Sequence, residues 1–288
     1  METSTFILEK DFASQGFTHV IGTDEVGRGP LCGPVVACAA MLKYPYCHPG
    51  LSSESMSTGE LDSWIPDQVR NDKRWDLIRD SKKLSEKQRE EIFDFIGQHF
   101  HLGIGLCDHE TIDRINILEA SFLAMKKAIQ QLMRNVERET HSKTQDTCLP
   151  DKQARNKNQT SINSQDLNNN LCHPELVSGS TQIPDQVRND RRFIILVDGN
   201  KIIPNLSMEQ YAVIGGDKLV KSISAASIVA KVTRDRMMKE FAEKYPGYGL
   251  EKHMGYGTKI HMEALKKLGP CPIHRKTFGP VKKSLKMG

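Results

Sequence analysis

Residues 18–34 read THVIGTDEVGRGPLCGP, and the rest of the chain is organised around them. Val20 and Ile21 begin a buried strand that runs into two adjacent carboxylates, Asp24 and Glu25. Gly27-Arg28-Gly29-Pro30 then makes a tight turn, where glycine lets backbone approach a ligand closely. A second apolar run, 35–42, follows as the next strand. Strand, acids, turn and strand together can hold a metal ion beside a place where backbone meets a phosphate. Neighbours on a regular strand point to opposite faces, so Asp24 and Glu25 share a site only if the strand ends or twists there. Taken alone, an Asp-Glu pair describes a charged strand end before a hairpin, and the rest of the chain has to change that reading.

The chain has 288 residues, 38% of them hydrophobic and 26% charged, in the range of a globular protein with a sizeable core. A net charge of +4 permits a polyanionic partner without requiring one. Basic residues cluster at Lys82-Lys83, Lys126-Lys127, 231–236, Lys266-Lys267, Arg275-Lys276 and Lys282-Lys283; solvated helix faces explain any one of these as well. Seven cysteines without a CxxC pair argue against a disulfide framework or a zinc site and for a reducing, cytoplasmic setting. The start, METST, lacks the basic and apolar regions of a signal peptide, and no apolar run reaches membrane-spanning length.

IPDQVRND occurs twice, at 65–72 and 183–190, each copy preceded by CHP. Two copies are too few for a solenoid, and they resemble translated palindromic repeat elements; a repeated docking peptide is the alternative. Around the second copy, 138–190 is rich in Asn, Gln, Ser, Thr and Lys, and 156–170 has almost nothing to bury, which predicts a mobile loop or disorder. Setting aside 46–73 and 138–191 leaves roughly 200 residues, the size of one compact domain. The chain is therefore read as a single domain, 1–288, interrupted by two tolerated surface segments.

Ser85 and Gln88 form a capping box that starts a helix ending near Ile96. HLGIGLC at 101–107 alternates as a strand. Ile115, Leu118, Phe122, Met125, Ile129, Leu132 and Val136 recur at steps of three and four, giving a helix with one buried stripe. FIILV at 193–197 is a buried strand ending in Asp198-Gly199-Asn200, and 210–214 is a shorter strand ending in Gly215-Gly216-Asp217. A helix is expected over 222–244, with Ile223, Ala226, Ala230, Met237 and Phe241 on one side, then a glycine-rich loop over 245–258 and a last short helix over 261–268. This order gives an α/β domain with a mixed sheet.

Asp24-Glu25, Asp198 and Asp217 share one grammar: an apolar strand stops and glycine adjoins an acid. Strand ends form the ligand crevice of an open α/β sheet. Carboxylates converging there repel one another unless divalent cations neutralise them, and oxygen-only donors favour Mg²⁺ or Mn²⁺ over zinc. Two such ions are a recognised device for displacement at phosphorus. Each aspartate singly also fits an ordinary turn.

These residues belong to a longer set: GTDEVGRGPLCGPVV (22–36), DSKKLSEKQRE (80–90), NILEASFLAMKKAI (116–129), LVDGNKIIP (196–204), GGDKLVKSISAASIVAKVTRDRMM (215–238), PGYGLEKHMGYGT (246–258) and IHRKTFGP (273–280). The set resembles bacterial ribonuclease HII, the type 2 ribonuclease H, in the same order along nearly the whole chain outside the two segments. The resemblance implies a ribonuclease H-like mixed β-sheet flanked by helices, with a C-terminal helical extension. It implies metal ligands at Asp24, Glu25, Asp198 and Asp217, and a junction-holding motif at Gly27, Arg28 and Gly29. Lys82 and Lys83 would meet phosphates, although they serve equally as helix-capping charges. The junction-sensing tyrosine falls on Tyr256, with Tyr248 as the competing assignment. His253, His261 and His274 lack metal spacing, and His274 and Arg275 are read as structural or backbone-contacting.

The implied protein is a monomeric cytoplasmic endonuclease using Mn²⁺ or Mg²⁺ at a two-metal site. Its partners are RNA–DNA hybrids and duplex DNA with embedded ribonucleotides, cut on the 5′ side of the ribonucleotide to leave 3′-OH and 5′-phosphate ends. The expected role is removal of misincorporated ribonucleotides. The alternatives are a type 3 relative, which the roughly 17 residues before the first strand disfavour; a Holliday-junction resolvase, disfavoured by the intact Gly-Arg-Gly; and a non-enzymatic hybrid-binding protein, disfavoured by the presence of all four acids.

Overall fold

The computed structural model describes residues 4–43, 71–146 and 192–286. Most of the two expected surface segments, the stretch 156–170 and both repeat copies except Asn71 and Asp72 lie outside the described residues.

The sheet has five strands: β1 (His19–Val26), β2 (Val35–Leu42), β3 (Phe100–Cys107), β4 (Phe193–Asp198) and β5 (Glu209–Val213), in the order β3-β2-β1-β4-β5. β1, β2 and β3 form an antiparallel meander, whereas β4 joins β1 in parallel and β5 joins β4 in parallel. The helices are α1 (Ile7–Ser14), α2 (Glu86–His99), α3 (His109–Ile115), α4 (Ile117–Asp146), α5 (Gly216–Leu219), α6 (Lys221–Lys244), α7 (Leu250–His253), α8 (Lys259–Leu268) and α9 (Gly279–Ser284). This is the expected mixed sheet between helical layers with a helical C-terminal part. None of the described helices is long and apolar enough to cross a membrane.

Strand alternation divides the core cleanly. On one face Val36, Cys38, Ala40, Leu42, Ile194 and Leu196 pack with α2 and α6. On the other, Val35, Ala37, Ala39, Met41, Ile195 and Val197 pack with α4. The stripe expected on α4 faces that second layer: Phe122, Met125, Ile129, Leu132 and Val136 are buried. α4 also covers the open edge of β3. Gln131 accepts from the Ile104 amide at 2.7 Å, and Asn135 and Lys127 donate to the Leu102 and Leu106 carbonyls at 2.9 and 3.0 Å. Edge groups that would otherwise seek another strand are thus satisfied within the chain.

The structure adds elements that hydrophobic periodicity did not reveal. α1 lies in the leader before β1, α3 precedes α4 and is broken from it by Asn116 in the left-handed region (φ 67), α7 interrupts the expected loop, and α9 occupies the Pro/Lys-rich end. α4 continues to Asp146, beyond position 138. α6 differs most from expectation. It is not one-sided: nearly every residue from Lys221 to Asp235 is buried, because the sheet, α2 and α7 surround it. Its start is pressed onto β1 at Gly22, where any Cβ would overlap the Ser222 carbonyl and the Ile223 amide.

That buried start has no side-chain cap of its own. Glu9 of α1 supplies one, accepting from the Ser222 amide at 2.9 Å and the Ser222 hydroxyl at 3.0 Å. Burial raises the Glu9 carboxyl from 4.5 to about 7, against the lowering effect of those bonds, and its Oε2 lacks a hydrogen-bond partner among the described residues. Lys221 beside it donates to the Trp75 and Ile78 carbonyls at 3.0 and 3.1 Å.

A carboxyl with a raised native pKa holds a proton that the unfolded chain has released. Its contribution to stability therefore falls as pH rises from the unfolded value to about 7 and is level above that. The interval corresponds to roughly 3 kcal/mol. Glu9→Gln keeps the acceptor and removes the ionisation. Relative to the unmodified protein it should gain stability steadily between pH 5 and 7, measured as the difference in denaturation midpoint, to which the other titrating groups contribute equally. A difference that does not vary with pH would contradict the assigned proton.

Candidate active site

The parallel arrangement of β1, β4 and β5 carries three carboxy-terminal strand ends to the same edge of the sheet. Asp24 and Glu25 lie at the end of β1, Asp198 ends β4, and Asp217 sits in the first turn of α5 just beyond β5. β1 does not stop before its acids as expected: it continues to Val26, with Asp24 and Glu25 opposite Cys38 and Ala37. Its pairing with β4 ends at Thr23 and Val197, so the acids emerge where the β4 side of the strand is open.

The electrostatics show that the four carboxylates face one region. Asp24 is buried, and burial first, then the charges of Glu25 and Asp198, hold its carboxyl well above the usual range. Bonds from the Ser227 hydroxyl and the Glu25 amide, the latter at 2.7 Å, oppose this. Burial likewise raises Glu25, with Asp198 adding to it and Arg28 opposing, and burial together with Asp217 raises Asp198. The Asp217 amide donates to Asp198 Oδ1 at 3.4 Å. Such mutual repulsion between partly desolvated acids, with oxygen as the only donor, suits a hard divalent cation.

Two cations of the chain attend the cluster. Lys82 Nζ lies 3.4 Å from Asp217 Oδ2 while its side chain stays 79% exposed. It belongs to a short 3₁₀ turn, Ser81–Lys83, whose amide at Lys82 is capped by Asp80 at 3.0 Å. Lys83 is exposed on the same turn. Arg28 Nη1 pairs with Glu25 Oε1 at 3.1 Å.

The turn after β1 is held from behind by two fully buried arginines. Arg275 donates to the carbonyls of Gly27 (2.6 Å), Arg28 (3.0 Å), Pro30 (2.8 Å) and Gly33 (3.0 and 2.9 Å). Arg234 donates to Pro34, Met254 and Cys32 carbonyls at 3.0, 2.9 and 3.3 Å. Burial and the neighbouring Arg234 charge lower Arg275 to about 9, which still leaves it a cation at neutral pH. Gly27 has φ +102, and a Cβ there would run into the Arg234 side chain, so this position requires glycine. Arg275 thus has the backbone-contacting role read from the sequence. Arg234 was hidden in a basic cluster; its place on the buried helix was the available signal.

The two tyrosines separate clearly. Tyr248 is buried and its hydroxyl donates to the Gly269 carbonyl at 2.7 Å. Tyr256 is 44% exposed, and its ring edge lies 3.4 Å from where a Cβ on Gly29 would be. The acids, the Gly27–Gly29 turn, Lys82 and Tyr256 therefore border one surface, whereas Tyr248 serves the interior.

A family model described as Ribonuclease HII matches residues 125–281. Ribonuclease HII of Endomicrobium trichonymphae is 38% identical over 282 residues, covering 98% of this chain and 95% of that protein. Ribonuclease HII of Parvibaculum lavamentivorans is 37% identical over 269 residues, covering 93% of this chain and 69% of that protein. Such alignments take in the segment of Asp24 and Glu25, which the family model does not. Among solved structures, ribonuclease H2 from Pyrococcus horikoshii OT3 has a TM-score of 0.50 at 22% identity, covering 93% of this chain and 98% of its own. Bst-RNase HIII in complex with Mn²⁺ has a TM-score of 0.52 at 15% identity, covering 96% and 72% respectively. At those identities the structures establish the ribonuclease H-like fold. The family match and the near-full-length relatives establish the rest: the chain belongs to the ribonuclease HII family, endoribonucleases that cleave RNA in RNA–DNA hybrids.

Proposed function

We propose that this protein cuts on the 5′ side of a ribonucleotide embedded in duplex DNA, leaving 3′-OH and 5′-phosphate ends, and so initiates removal of misincorporated ribonucleotides. The observation that carries this reading is the meeting of four carboxylates with a backbone turn and a half-exposed tyrosine at one edge of the sheet. Asp24, Glu25, Asp198 and Asp217 hold the metal. Bound Mg²⁺ or Mn²⁺ would lower the pKa of an attacking water and neutralise charge on the departing 3′ oxygen. The solved type 3 relative with Mn²⁺ supports that choice of ion.

The chain's own groups position the substrate. Gly27, Arg28 and Gly29 meet the ribose: with the Gly27 and Arg28 carbonyls turned inward to Arg275, the amide edge of the turn is what we assign to the 2′-OH, the group that separates RNA from DNA. Arg28, now paired to Glu25, exchanges that partner for a phosphate. Lys82 and Lys83 contact the scissile strand's phosphates, and Tyr256 stacks on the deoxyribose that follows the ribonucleotide. Water attacks phosphorus directly, so no covalent enzyme intermediate forms. The protein acts as a cytoplasmic monomer, and 46–73 and 138–191 are surface segments of one domain.

Duplex DNA carrying one ribonucleotide should be cut at the single predicted phosphodiester in Mg²⁺ or Mn²⁺ and left intact in excess chelator. Asp24→Asn should slow cleavage by about a hundredfold or more while binding of hybrid persists; cutting at the unmodified rate would remove Asp24 from the metal site. Arg275→Met leaves the turn carbonyls without their buried donor. It should cost about 3 kcal/mol in denaturation free energy and weaken cleavage of the ribonucleotide substrate; a turn that works and melts normally without the guanidinium would refute its bracing role.

A further inference from the structure

The segment that carries Arg275 also reaches Tyr256. Among the described residues, Cys32, His261 and His274 bring metal-type donor atoms within 4.8 Å of one another, and all three side chains are buried. The fold therefore joins histidines that have no metal spacing in sequence. Their nitrogens are accounted for without an ion. The Tyr256 carbonyl can only accept, and it lies 2.9 Å from His261 Nδ1, so that nitrogen carries the proton. His261 Nε2 is then an acceptor, and His274 Nε2, at 3.1 Å, must donate to it. His274 Nδ1 is left as an acceptor: the Cys271 amide donates to it at 3.0 Å and the Cys271 thiol can donate at 3.1 Å, both shorter than the 3.2 Å to the Cys271 carbonyl, the one neighbour that would need the proton on Nδ1. The Tyr256 carbonyl at one end and the Cys271 amide at the other favour the same direction. Burial lowers both imidazoles, His274 to about 4, which keeps the pair neutral. The Arg234 guanidinium, 3.3 Å from the Cys32 carbonyl, further opposes a cation in this place.

Tyr256 is otherwise fixed through its backbone, its amide donating to the His253 carbonyl at 2.8 Å and its carbonyl accepting from Thr258 at 2.8 Å. Its half-exposed ring follows that backbone. We propose that His261 and His274 are positioning residues: a neutral imidazole pair of fixed tautomer that holds the Tyr256 backbone at the distance from the Gly-Arg-Gly turn needed to read an RNA–DNA junction. Cys271 and His274 anchor one side of that gap, and Arg275, next in the chain, anchors the other. The inference rests on the reading of Tyr256 as the junction-sensing residue.

The test compares kcat and KM on duplex DNA with one ribonucleotide and on uniform RNA–DNA hybrid. Tyr256→Ala and His261→Ala should each lower the preference for the single ribonucleotide about tenfold, and the double variant should be no worse than Tyr256→Ala. His261→Asn, whose amide can donate to the Tyr256 carbonyl, should recover most of the preference. Should Tyr256→Ala keep the preference, the junction reading and the positioning role both fail. Should Tyr256→Ala lose it while His261→Ala keeps it, the positioning role alone fails. If the histidine variants do not fold, imidazole ¹⁵N spectra of the unmodified protein decide: Nδ1–H on His261 and Nε2–H on His274 are expected. The reverse tautomers, or one equivalent of Zn²⁺ retained by the native protein, would overturn the proposal.

Discussion

The constraint on which the rest depends is the parallel pairing of β1 with β4. Thr23 lies opposite Val197 and the two chains part immediately afterwards. That register sets the acids of β1 beside Asp198, although about 170 residues separate them in sequence. Parallel neighbours end on one side, so β5 delivers Asp217 to the same edge. A slip of one residue would turn every core side chain of β4 to the wrong face. The apolar run FIILV, buried on both sides, thus fixes the position of a carboxylate it does not itself contain.

Such a cluster stores repulsion, and the fold must hold it together independently. The buried helix α6 does so. It lies directly on β1 at Gly22, offers Ser227 to Asp24, and sends Arg234 beneath the turn. A helix buried on nearly every side cannot end in water, and Glu9 satisfies its first turn from the far end of the chain. The protonation cost at Glu9 is therefore the consequence of placing a helix terminus where the acids need support. Three salt bridges tie α6 to α2: Arg89–Asp235 at 3.6 Å is largely buried, whereas Arg236–Glu90 and Lys239–Glu86 lie where solvent screens them and their contribution is small.

Much of this was legible because local chemistry and burial agreed. The capping box at Ser85 and Gln88 forms as read, with both bonds present, and the stripe of α4 faces the core. The strands were found to within a residue or so, apart from the extension of β1 through its acids. What failed was one-sided reasoning about α6. Ile223, Ala226, Ala230, Met237 and Phe241 read as one apolar side, but the helix has no solvent face along its first turns, and periodicity cannot report that every side, the Ser and Ala positions included, is buried. Arg234 looked like part of a basic surface for the same reason. α1 and α3 were missed because α1's decisive contact is polar and distant, and α3 is separated from α4 only by the left-handed Asn116. His274 reads as structural from the sequence, but its contact with His261 does not, because spacing describes neighbours in sequence and not the meeting of a helix with the C-terminal segment.

The site is built from opposed charges at two depths. Acids crowd the surface edge, where burial and mutual repulsion make a divalent cation the natural partner. Two guanidiniums lie beneath the adjoining turn, each satisfied by carbonyls rather than by carboxylates. Among the described residues Arg275 bonds to carbonyls and to no carboxylate, and its fork makes the carbonyl side of the turn an interior surface. A lysine could bring the charge but not the several donors in one plane. The arginines thereby impose a geometry on glycine-rich backbone that would otherwise be the most pliable part of the site. The proposed metal site and the proposed sugar-reading turn consequently rest on different supports, the first on strand register and the second on buried cations, and they meet where Arg28 pairs with Glu25.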